Sequence, residues 1–417
     1  MSKFIVVVLD GFGIGEMPDV AEVRPQDRGA NTAAKLVSYF SEEKLPTLES
    51  LGLMNVLKGT NSVMKPNLSA NWGKAKLAHE GCDTFMGHQE IMGTRPEPPL
   101  VMPFNASLDS IFEALITQSY KVDKIERDGL FLLLVNDALI VGDNLEADLG
   151  QVYNLTANFN LISFDEAKRI GRVVRNANSV SRNIVFGGFV EGLSSLLSAI
   201  EVKNDSAGRA KYIGVNAPKS GVYQKGFEVE HLGYGVDERT QVPYQLRRLG
   251  IPTYLYGKVA DIVQNEQGTS YKSVVDTETV FSLLVRDLSS TQTGFFCANI
   301  QETDLSGHEQ DPTRYWNVLE IADLGLEHVI STMEKGDCLV VIADHGNDPF
   351  IGHSKHTREV VPVLVYQQGR RGERLGVLDT LADIGASAAE FFGARLPQFG
   401  EATILNKQYN ECVVSNS

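Results

Sequence analysis

The sequence predicts an α/β protein with a mostly parallel sheet flanked by helices, plus a smaller, inserted α+β domain. Three observations lead to this prediction. Apolar runs alternate with helical patterns in the second half of the 417-residue chain, which is typical of parallel sheets. An apolar run at residues 4–9 has the same character as these later runs. Between them, over residues 95–222, the pattern changes to short apolar runs among polar and helical segments.

The N-terminal elements follow in order. The six apolar residues at 4–9 are too few for a membrane span or a signal sequence, but they suit a strand buried on both faces. A glycine-rich turn at residues 10–19 and a helical pattern at 31–39 come next. Four prolines within residues 93–103 then interrupt any regular element, which places a boundary there.

After the insertion, four apolar runs predict strands that share one sheet with the first strand: IPTYLYG, TGFFCANI, CLVVIAD and VPVLVY. A helix is predicted at residues 316–333, where apolar residues recur at three- and four-residue steps and Gly336 follows as a stop. We therefore expect a discontinuous core domain, residues 1–94 and 223–417, with residues 95–222 inserted as a cap domain.

The charge balance narrows the possible partners. The chain has 38 basic and 53 acidic residues and a net charge of -15, which argues against a nucleic-acid or anionic-membrane surface. A phosphorylated substrate stays possible, because bound cations reverse the field locally. Four scattered cysteines without a CxxC pair predict no disulfide framework and a reducing, cytoplasmic location.

Acidic residues and histidines cluster where the predicted strands end. In a parallel α/β sheet, ligands bind outside the carboxyl ends of the strands. Each residue alone has another interpretation as a turn former or helix cap. Together, three aspartates and three histidines suit Mn²⁺ or Zn²⁺, and six ligands suffice for two ions. The six candidates are Asp10, Asp304, His308, Asp344, His345 and His356.

A candidate nucleophile, Thr84, lies in the glycine-flanked stretch GCDTFMGHQEIMGT. A threonine hydroxyl is a poor nucleophile at neutral pH, but a neighbouring divalent cation stabilises its ionised form. The alternative is that Thr84 caps a helix beginning near Phe85. The two roles are compatible, because a helix N-terminus also offers N–H donors to a phosphate.

These residues, in this order, resemble the alkaline-phosphatase superfamily of metalloenzymes, and within it the bacterial phosphopentomutases. The resemblance rests on VVVLDGFGIGEMPD, GCDTFMGHQEIMG, ADHGNDP, HTREVVPVLVY and LADIGASAAEFFG. It implies an alkaline-phosphatase-like core and two Mn²⁺ ions, with Zn²⁺ as the alternative. One ion would be held by Asp10, Asp344 and His345, with Thr84 on the same ion. The other would be held by Asp304, His308 and His356.

The resemblance also implies an activity. A phosphothreonine at Thr84 would donate its phosphoryl group to a sugar phosphate and take back the other one, so that a 1-phosphate and a 5-phosphate interconvert. The inserted domain would be a lid that excludes water. Lys258 matches a core lysine near the phosphate, and Asp137 and Arg182 match substrate-contacting residues of the insert.

The sequence departs from the family pattern in several places. Asp304 and His308 are one residue closer than is usual in phosphopentomutases. The nucleophile loop has Cys82, Met86 and Gln89 where lysine, threonine and tryptophan are common. An arginine-rich loop of the insert is replaced by KYIGVNAPKSGVYQ. Changed polar contacts change the preferred substrate, so a sugar phosphate other than ribose phosphate is an alternative.

Two other functions stay open at this point. A phosphoesterase would use Thr84 but let water attack the phosphoenzyme. A non-catalytic, metal-binding regulator would keep the same fold with an idle site. The sequence leaves the oligomeric state open.

Overall fold

The computed structural model describes residues 2–57, 61–145, 149–205 and 207–405. The chain divides into two compact units. The core unit contains Met1–Pro96 and Asp237–Ser417, and the inserted unit contains Glu97–Val236. The second boundary lies after residue 236 rather than after residue 222. The reason is that the strand Glu228–Gly233 pairs antiparallel with the strand Arg182–Gly188 and so completes the sheet of the inserted unit.

The strands, in chain order, are β1 (Lys3–Leu9), β2 (Asn71–Ala75), β3 (Val122–Arg127), β4 (Leu130–Val135), β5 (Leu139–Asp143), β6 (Val152–Asn158), β7 (Arg182–Gly188), β8 (Ile200–Asn204), β9 (Ala210–Val215), β10 (Glu228–Gly233), β11 (Thr253–Tyr256), β12 (Thr269–Tyr271), β13 (Gly294–Ile300), β14 (Cys338–Ile342), β15 (Val361–Gln367) and β16 (Arg374–Leu378).

The α-helices are α1 (Val20–Val23), α2 (Thr32–Tyr39), α3 (Pro46–Leu51), α4 (Leu53–Val56), α5 (Thr84–Ile91), α6 (Phe104–Thr117), α7 (Phe164–Asn176), α8 (Gly192–Ser198), α9 (Ala217–Ser220), α10 (Val242–Arg247), α11 (Lys258–Ile262), α12 (Thr277–Ser290), α13 (Gln301–His308), α14 (Pro312–Thr332) and α15 (Ala382–Phe391). Short 3₁₀ helices occur at Pro25–Asp27 and Glu238–Thr240.

One mostly parallel sheet organises the core unit, in the order β12-β11-β13-β1-β14-β15-β2-β16. All four apolar runs of the C-terminal half join β1 in it, which confirms the predicted α/β class. β15 runs antiparallel to both of its neighbours, and the other pairings are parallel. β1 is buried along its whole length, as a strand covered on both faces must be.

The predicted helix at residues 316–333 extends further toward its N-terminus. α14 begins at Pro312, because Asp311 caps it by accepting hydrogen bonds from the amides of Thr313 and Arg314. Proline suits this first helical position, where its missing N–H costs nothing. The earlier helical pattern forms α2, whose first turn is capped by the side chain of Asn31.

The inserted unit has a six-stranded sheet in the order β10-β7-β6-β5-β4-β3 and a separate hairpin, β8-β9. Each face of the six-stranded sheet has its own apolar cluster. Along β4, Leu133 and Val135 join the cluster with α6 and α7, whereas Leu132 and Leu134 join the cluster with α8 and β9. This alternation follows from the two-residue period of a strand.

Among the described residues, no helix is both long and apolar enough to cross a membrane. Cys82, Cys297 and Cys338 are buried free thiols. Cys412 lies outside the described residues.

Candidate active site and metal centre

The carboxyl ends of the central strands meet at one edge of the core sheet. β1 lies between β13 and β14 and is parallel to both, with Leu9 opposite Ile300 and Val8 opposite Ile342. The residues directly after these strands are therefore neighbours. β15 runs antiparallel to β14, so the segment that precedes β15 reaches the same edge. This topology brings all six candidate ligands together.

The first donor group consists of Asp10, Asp344 and His345, all fully buried. One ligand atom of each residue lies within 4.8 Å of the other two. His345 Nε2 is 3.3 Å from Asp10 Oδ1 and 3.3 Å from Asp344 Oδ2. His345 Nδ1 lies 2.9 Å from the backbone carbonyl of Gly346. Because a carbonyl only accepts, Nδ1 carries a proton and Nε2 is turned toward the two carboxylates.

The second donor group consists of Asp304, His308 and His356. α13 places Asp304 and His308 four residues apart and therefore on one helix face. His308 Nδ1 lies 2.7 Å from the carbonyl of Ser354, and His356 Nδ1 lies 2.9 Å from the carbonyl of Cys82. Both Nε2 atoms face Asp304, at 3.4 and 3.3 Å, and they are 3.0 Å from each other.

Both groups fit a divalent cation. Asp10 Oδ1 and His345 Nε2 are buried and lie 3.3 Å apart without the geometry of a hydrogen bond, and neither has another hydrogen-bond partner in the described part of the chain. The Nε2 atoms of His308 and His356 point at each other, an arrangement that a shared cation between them would explain. Carboxylate oxygen and imidazole nitrogen suit both Mn²⁺ and Zn²⁺, so the donors support a divalent metal without selecting one.

The charges of the site residues also favour the binding of a cation. Burial opposes ionisation of Asp304, but hydrogen bonds to His308 and His356 hold its pKa well below the usual range. Burial likewise opposes ionisation of Asp344, and the charge of His345 keeps that pKa well below normal. Burial would lower the pKa of His345, but Asp344 and its other acidic neighbours raise it to about 10. The carboxylates thus attract any available cation.

Thr84 is the first residue of α5 and lies at the first donor group. Its Oγ1 donates a 2.6 Å hydrogen bond to Asp344 Oδ2. The N-cap of the helix is Asp83, which accepts from the amide of Met86, so the alternative role of Thr84 as the cap is wrong. A Cβ on Gly87 would lie 2.8 Å from the carbonyl oxygen of Asp344. Glycine at this position therefore allows α5 to approach the donor group closely.

Lys258 begins α11 directly beyond β11, and its ammonium group lies within the site. Lys258 Nζ is 2.8 Å from Asp10 Oδ2, 3.2 Å from Asp304 Oδ2 and 3.4 Å from Thr84 Oγ1. The side chain is only 14% exposed, so Lys258 is not a solvated charge at a strand end. Burial would lower the pKa of Lys258, but Asp10 and Asp304 raise it well above its usual value.

Three further buried side chains contact these carboxylates and are not among the site residues predicted from the sequence: His88, Asn299 and Asn347. Asn347 Nδ2 donates to Asp304 Oδ1 at 2.8 Å. Asn299 Nδ2 donates to Asp10 Oδ2 at 3.0 Å, and His88 Nδ1 lies 3.2 Å from Asp344 Oδ2. Two features of the sequence could have indicated these roles. Asn299 is a polar residue near the end of an apolar strand, and His88 lies one helical turn after Thr84.

The structure does not bring together the two substrate contacts predicted in the inserted unit. Asp137 is an exposed turn residue between β4 and β5 and forms an ion pair with Lys121 at 2.7 Å. Arg182 begins β7 opposite Val152, whereas Leu139, just after the turn, pairs with Ala157. Asp137 and Arg182 therefore lie at opposite ends of the sheet, on the order of 15 Å apart along the strands.

Fold and site together define a metalloenzyme with two adjacent donor groups and a hydroxyl beside one of them. The family model of the Metalloenzyme superfamily matches residues 2–396, and the chain belongs to this superfamily. Within it the chain is phosphopentomutase-like. It is 28% identical over 413 residues to the phosphopentomutase of Herpetosiphon aurantiacus, covering 98% of this chain and 100% of that protein. These findings support a metal-dependent phosphomutase.

Solved structures with similarity along most of the chain include two proteins. The PH0037 protein from Pyrococcus horikoshii has a TM-score of 0.44 and 14% identity, with 96% of this chain and 98% of that chain covered. The Leishmania mexicana phosphoglycerate mutase has a TM-score of 0.42 and 12% identity, with 95% of this chain and 96% of that chain covered.

Proposed function

We propose that the chain is a phosphomutase that moves a phosphoryl group between two positions of a sugar phosphate through a phosphothreonine at Thr84. The observation that carries this proposal is the environment of Thr84 Oγ1. It lies 2.6 Å from Asp344 Oδ2 and 3.4 Å from Lys258 Nζ. The ammonium group of Lys258, together with a cation held by the first donor group, would stabilise negative charge on this oxygen, which the carboxylate of Asp344 alone would oppose.

The six donor residues would hold two divalent ions, Mn²⁺ by resemblance and Zn²⁺ as the alternative. Asp10, Asp344 and His345 would hold one ion, and the second donor group would hold the other. Ions bound there would supply positive charge that stabilises the ionised hydroxyl and the oxygens of the transferring group.

The residues around Thr84 suit both halves of such a reaction. In the first half, a sugar hydroxyl attacks the phosphorus on Thr84, and the bond between phosphorus and the threonine oxygen breaks. In the second half, the same oxygen attacks the phosphorus of the other phosphoryl group of the resulting bisphosphate, the bond between that phosphorus and its sugar oxygen breaks, and the freed sugar oxygen takes up a proton equivalent to the one that the attacking hydroxyl lost in the first half. Lys258 lies beside the threonine oxygen and neutralises part of the charge that it carries as leaving group and as nucleophile.

The substrate proposed is a pentose phosphate, with interconversion of the 1-phosphate and the 5-phosphate. The name of the Herpetosiphon aurantiacus relative supports this sugar class. We propose that the inserted unit acts as a cap that excludes water, because transfer must compete with hydrolysis. Of the two candidates in that unit, Arg182 has the charge that suits a phosphate, whereas Asp137 is paired with Lys121.

Incubation of the purified protein with Mn²⁺ and a panel of sugar phosphates tests the proposal. We expect ribose 1-phosphate to convert to the 5-phosphate without release of phosphate, after priming with a catalytic amount of the sugar bisphosphate. Phosphorus NMR follows both positions and free phosphate together. Steady release of phosphate would instead identify a phosphoesterase. Absence of any turnover, with unphosphorylated Thr84 in the mass spectrum, would leave a metal-binding regulator.

A further inference from the structure

Two buried residues beside the first donor group have a hydrogen-bonding geometry that the proposed chemistry does not use. His88 lies on α5 one turn after Thr84, and Asn299 lies near the end of β13. Both side chains are fully buried. Asn299 Nδ2 lies 3.0 Å from Asp10 Oδ2 and 3.0 Å from His88 Nε2. The amide group therefore links a candidate metal ligand to the imidazole.

These contacts define which nitrogen of His88 carries its proton. Asp10 Oδ2 accepts, so the Asn299 group that faces it must be the NH₂ group; the reversed amide would place Oδ1 against the carboxylate. The second N–H of this NH₂ group points to His88 Nε2. A proton on Nε2 would then face another proton, so Nε2 must accept and Nδ1 must carry the hydrogen.

The proton on Nδ1 makes its hydrogen bond to the backbone carbonyl of Thr84, and Asp344 Oδ2 lies close to the same nitrogen. His88 Nδ1 lies 2.9 Å from the backbone carbonyl of Thr84 and 3.2 Å from Asp344 Oδ2. The same Asp344 Oδ2 accepts the hydrogen bond from the Thr84 hydroxyl. The chain of contacts therefore runs from Asp10 through Asn299 and His88 to Asp344.

We propose that Asn299 and His88 are positioning residues, in which the amide of Asn299 fixes the Nδ1–H tautomer of His88 and that N–H holds Asp344 in place beside the nucleophile. The inference rests on the proposed function for its effect on phosphoryl transfer. Its effect on the donor group does not require any reaction, because outer hydrogen-bond partners orient ligands and typically change metal affinity by about 10- to 100-fold.

Two substitutions of His88 distinguish the roles of its two ring nitrogens. The amide nitrogen of asparagine overlaps the place of Nδ1, so His88→Asn keeps a donor toward Asp344. The amide nitrogen of glutamine overlaps the place of Nε2, so His88→Gln loses that donor although glutamine is closer to histidine in size. If His88 has a purely structural role, His88→Gln should be the less damaging substitution. If His88 has the proposed role, His88→Asn should be the less damaging one. His328, which is exposed on α14, provides matched controls through His328→Asn and His328→Gln.

The first measurement is the calorimetric affinity of the full chain for Mn²⁺. We expect His88→Gln to weaken at least one of the two binding steps about 10-fold or more, and His88→Asn to stay within about threefold of the parent protein. The controls should match the parent protein. Equal losses in both His88 variants, with unchanged thermal unfolding, or a larger loss in His88→Asn, would overturn the proposal.

The second measurement reads the tautomer directly. In the metal-free protein labelled with ¹⁵N-histidine, two-bond ¹H–¹⁵N correlations distinguish a ring protonated at Nδ1 from one protonated at Nε2. The signal of His88 is the one absent from the His88→Asn variant. We expect the Nδ1–H form, and a signal of the Nε2–H or doubly protonated form would overturn the assignment. Neither measurement needs turnover, so a failed mutase assay and a failed tautomer prediction remain distinguishable.

Discussion

Thr84 Oγ1 donates a 2.6 Å hydrogen bond to Asp344 Oδ2, across a sequence separation of 260 residues. The contact joins the N-terminus of α5 to the end of β14, and Gly87 makes the approach possible because any Cβ there would meet Asp344. The hydroxyl and the donor group are therefore one unit. Substitution of either residue is expected to affect the other, but the two substitutions are detected by different measurements.

Removing the hydroxyl of Thr84 should abolish transfer without loss of metal. Thr84→Val keeps the shape of the side chain, so we expect both ions to bind while phosphoryl transfer falls by at least about 10³-fold, as for removal of a nucleophile. Elemental analysis measures the metal, and intact-mass spectrometry measures the phosphoprotein. Thr117→Val, at an exposed helix position, is the control. Retained transfer in Thr84→Val would contradict the phosphothreonine mechanism.

The two donor groups should lose metal separately. Asp304→Asn and Asp344→Asn each replace one carboxylate oxygen with an amide nitrogen that cannot ligate a cation well. We expect elemental analysis to find about one ion per chain in each variant and two in the parent protein. Asp287→Asn serves as the control, because Asp287 is a buried aspartate that contacts Tyr256. Two ions retained in Asp344→Asn would exclude it as a ligand.

Lys258 should contribute to transfer through its charge. Lys258→Met keeps the aliphatic stem but removes the ammonium group next to Thr84 Oγ1. We expect kcat to fall by about 10²- to 10³-fold, as when one charge-stabilising donor is removed from an active site. Lys76→Met removes a lysine from an exposed ion pair with Asp379 and should leave kcat unchanged. Activity in Lys258→Met within a few-fold of the parent protein would refute this role.

Asp143 of the inserted unit should make stability depend on pH. Burial raises its pKa to about 7, against the lowering effect of hydrogen bonds from the amides of Ile213 and Phe104. Between about pH 4 and pH 7 the folded chain therefore holds a proton that the unfolded chain has released, so the free energy of unfolding falls as pH rises.

Asp143→Asn cannot titrate and so isolates this effect. Urea unfolding at pH 4, 5, 6, 7 and 8 measures the free energy of unfolding for both proteins. We expect the parent-minus-variant difference to decrease by up to about 4 kcal/mol from the acidic to the basic end of the range. A difference that stays constant with pH would show that the carboxyl group ionises as easily in the folded chain as in the unfolded chain.

Sequence patterns were sufficient to predict the site residues that lie at the ends of strands. Asp10 and Asp344 directly follow runs of apolar residues, and parallel pairing of β1 with β14 brings the ends of these strands together. The roles of His88 and Asn299 depend instead on register and helix placement. Asn299 lies inside β13, and only its pairing beside β1 places its amide next to Asp10.

The boundary of the inserted unit depended on a long-range pairing in the same way. The segment that forms β10 has alternating polar residues, and its strand character comes from antiparallel pairing with β7. Likewise, the apolar run of β15 did not reveal its direction. Composition predicts that a segment is a buried strand, but the partners that decide its orientation lie elsewhere in the chain.

The central position of β1 has a consequence for how the protein is made. Val6 pairs with Cys297 on one side and with Val340 on the other, so both neighbours of the first strand come late in the chain. At about 5–20 residues per second, a ribosome needs on the order of 15 to 60 seconds between the first strand and these partners. The inserted unit emerges during this interval, while the apolar segment that forms β1 still lacks its sheet. We expect protection of that nascent segment by a chaperone to matter more for the yield of folded protein than the stability of the finished fold.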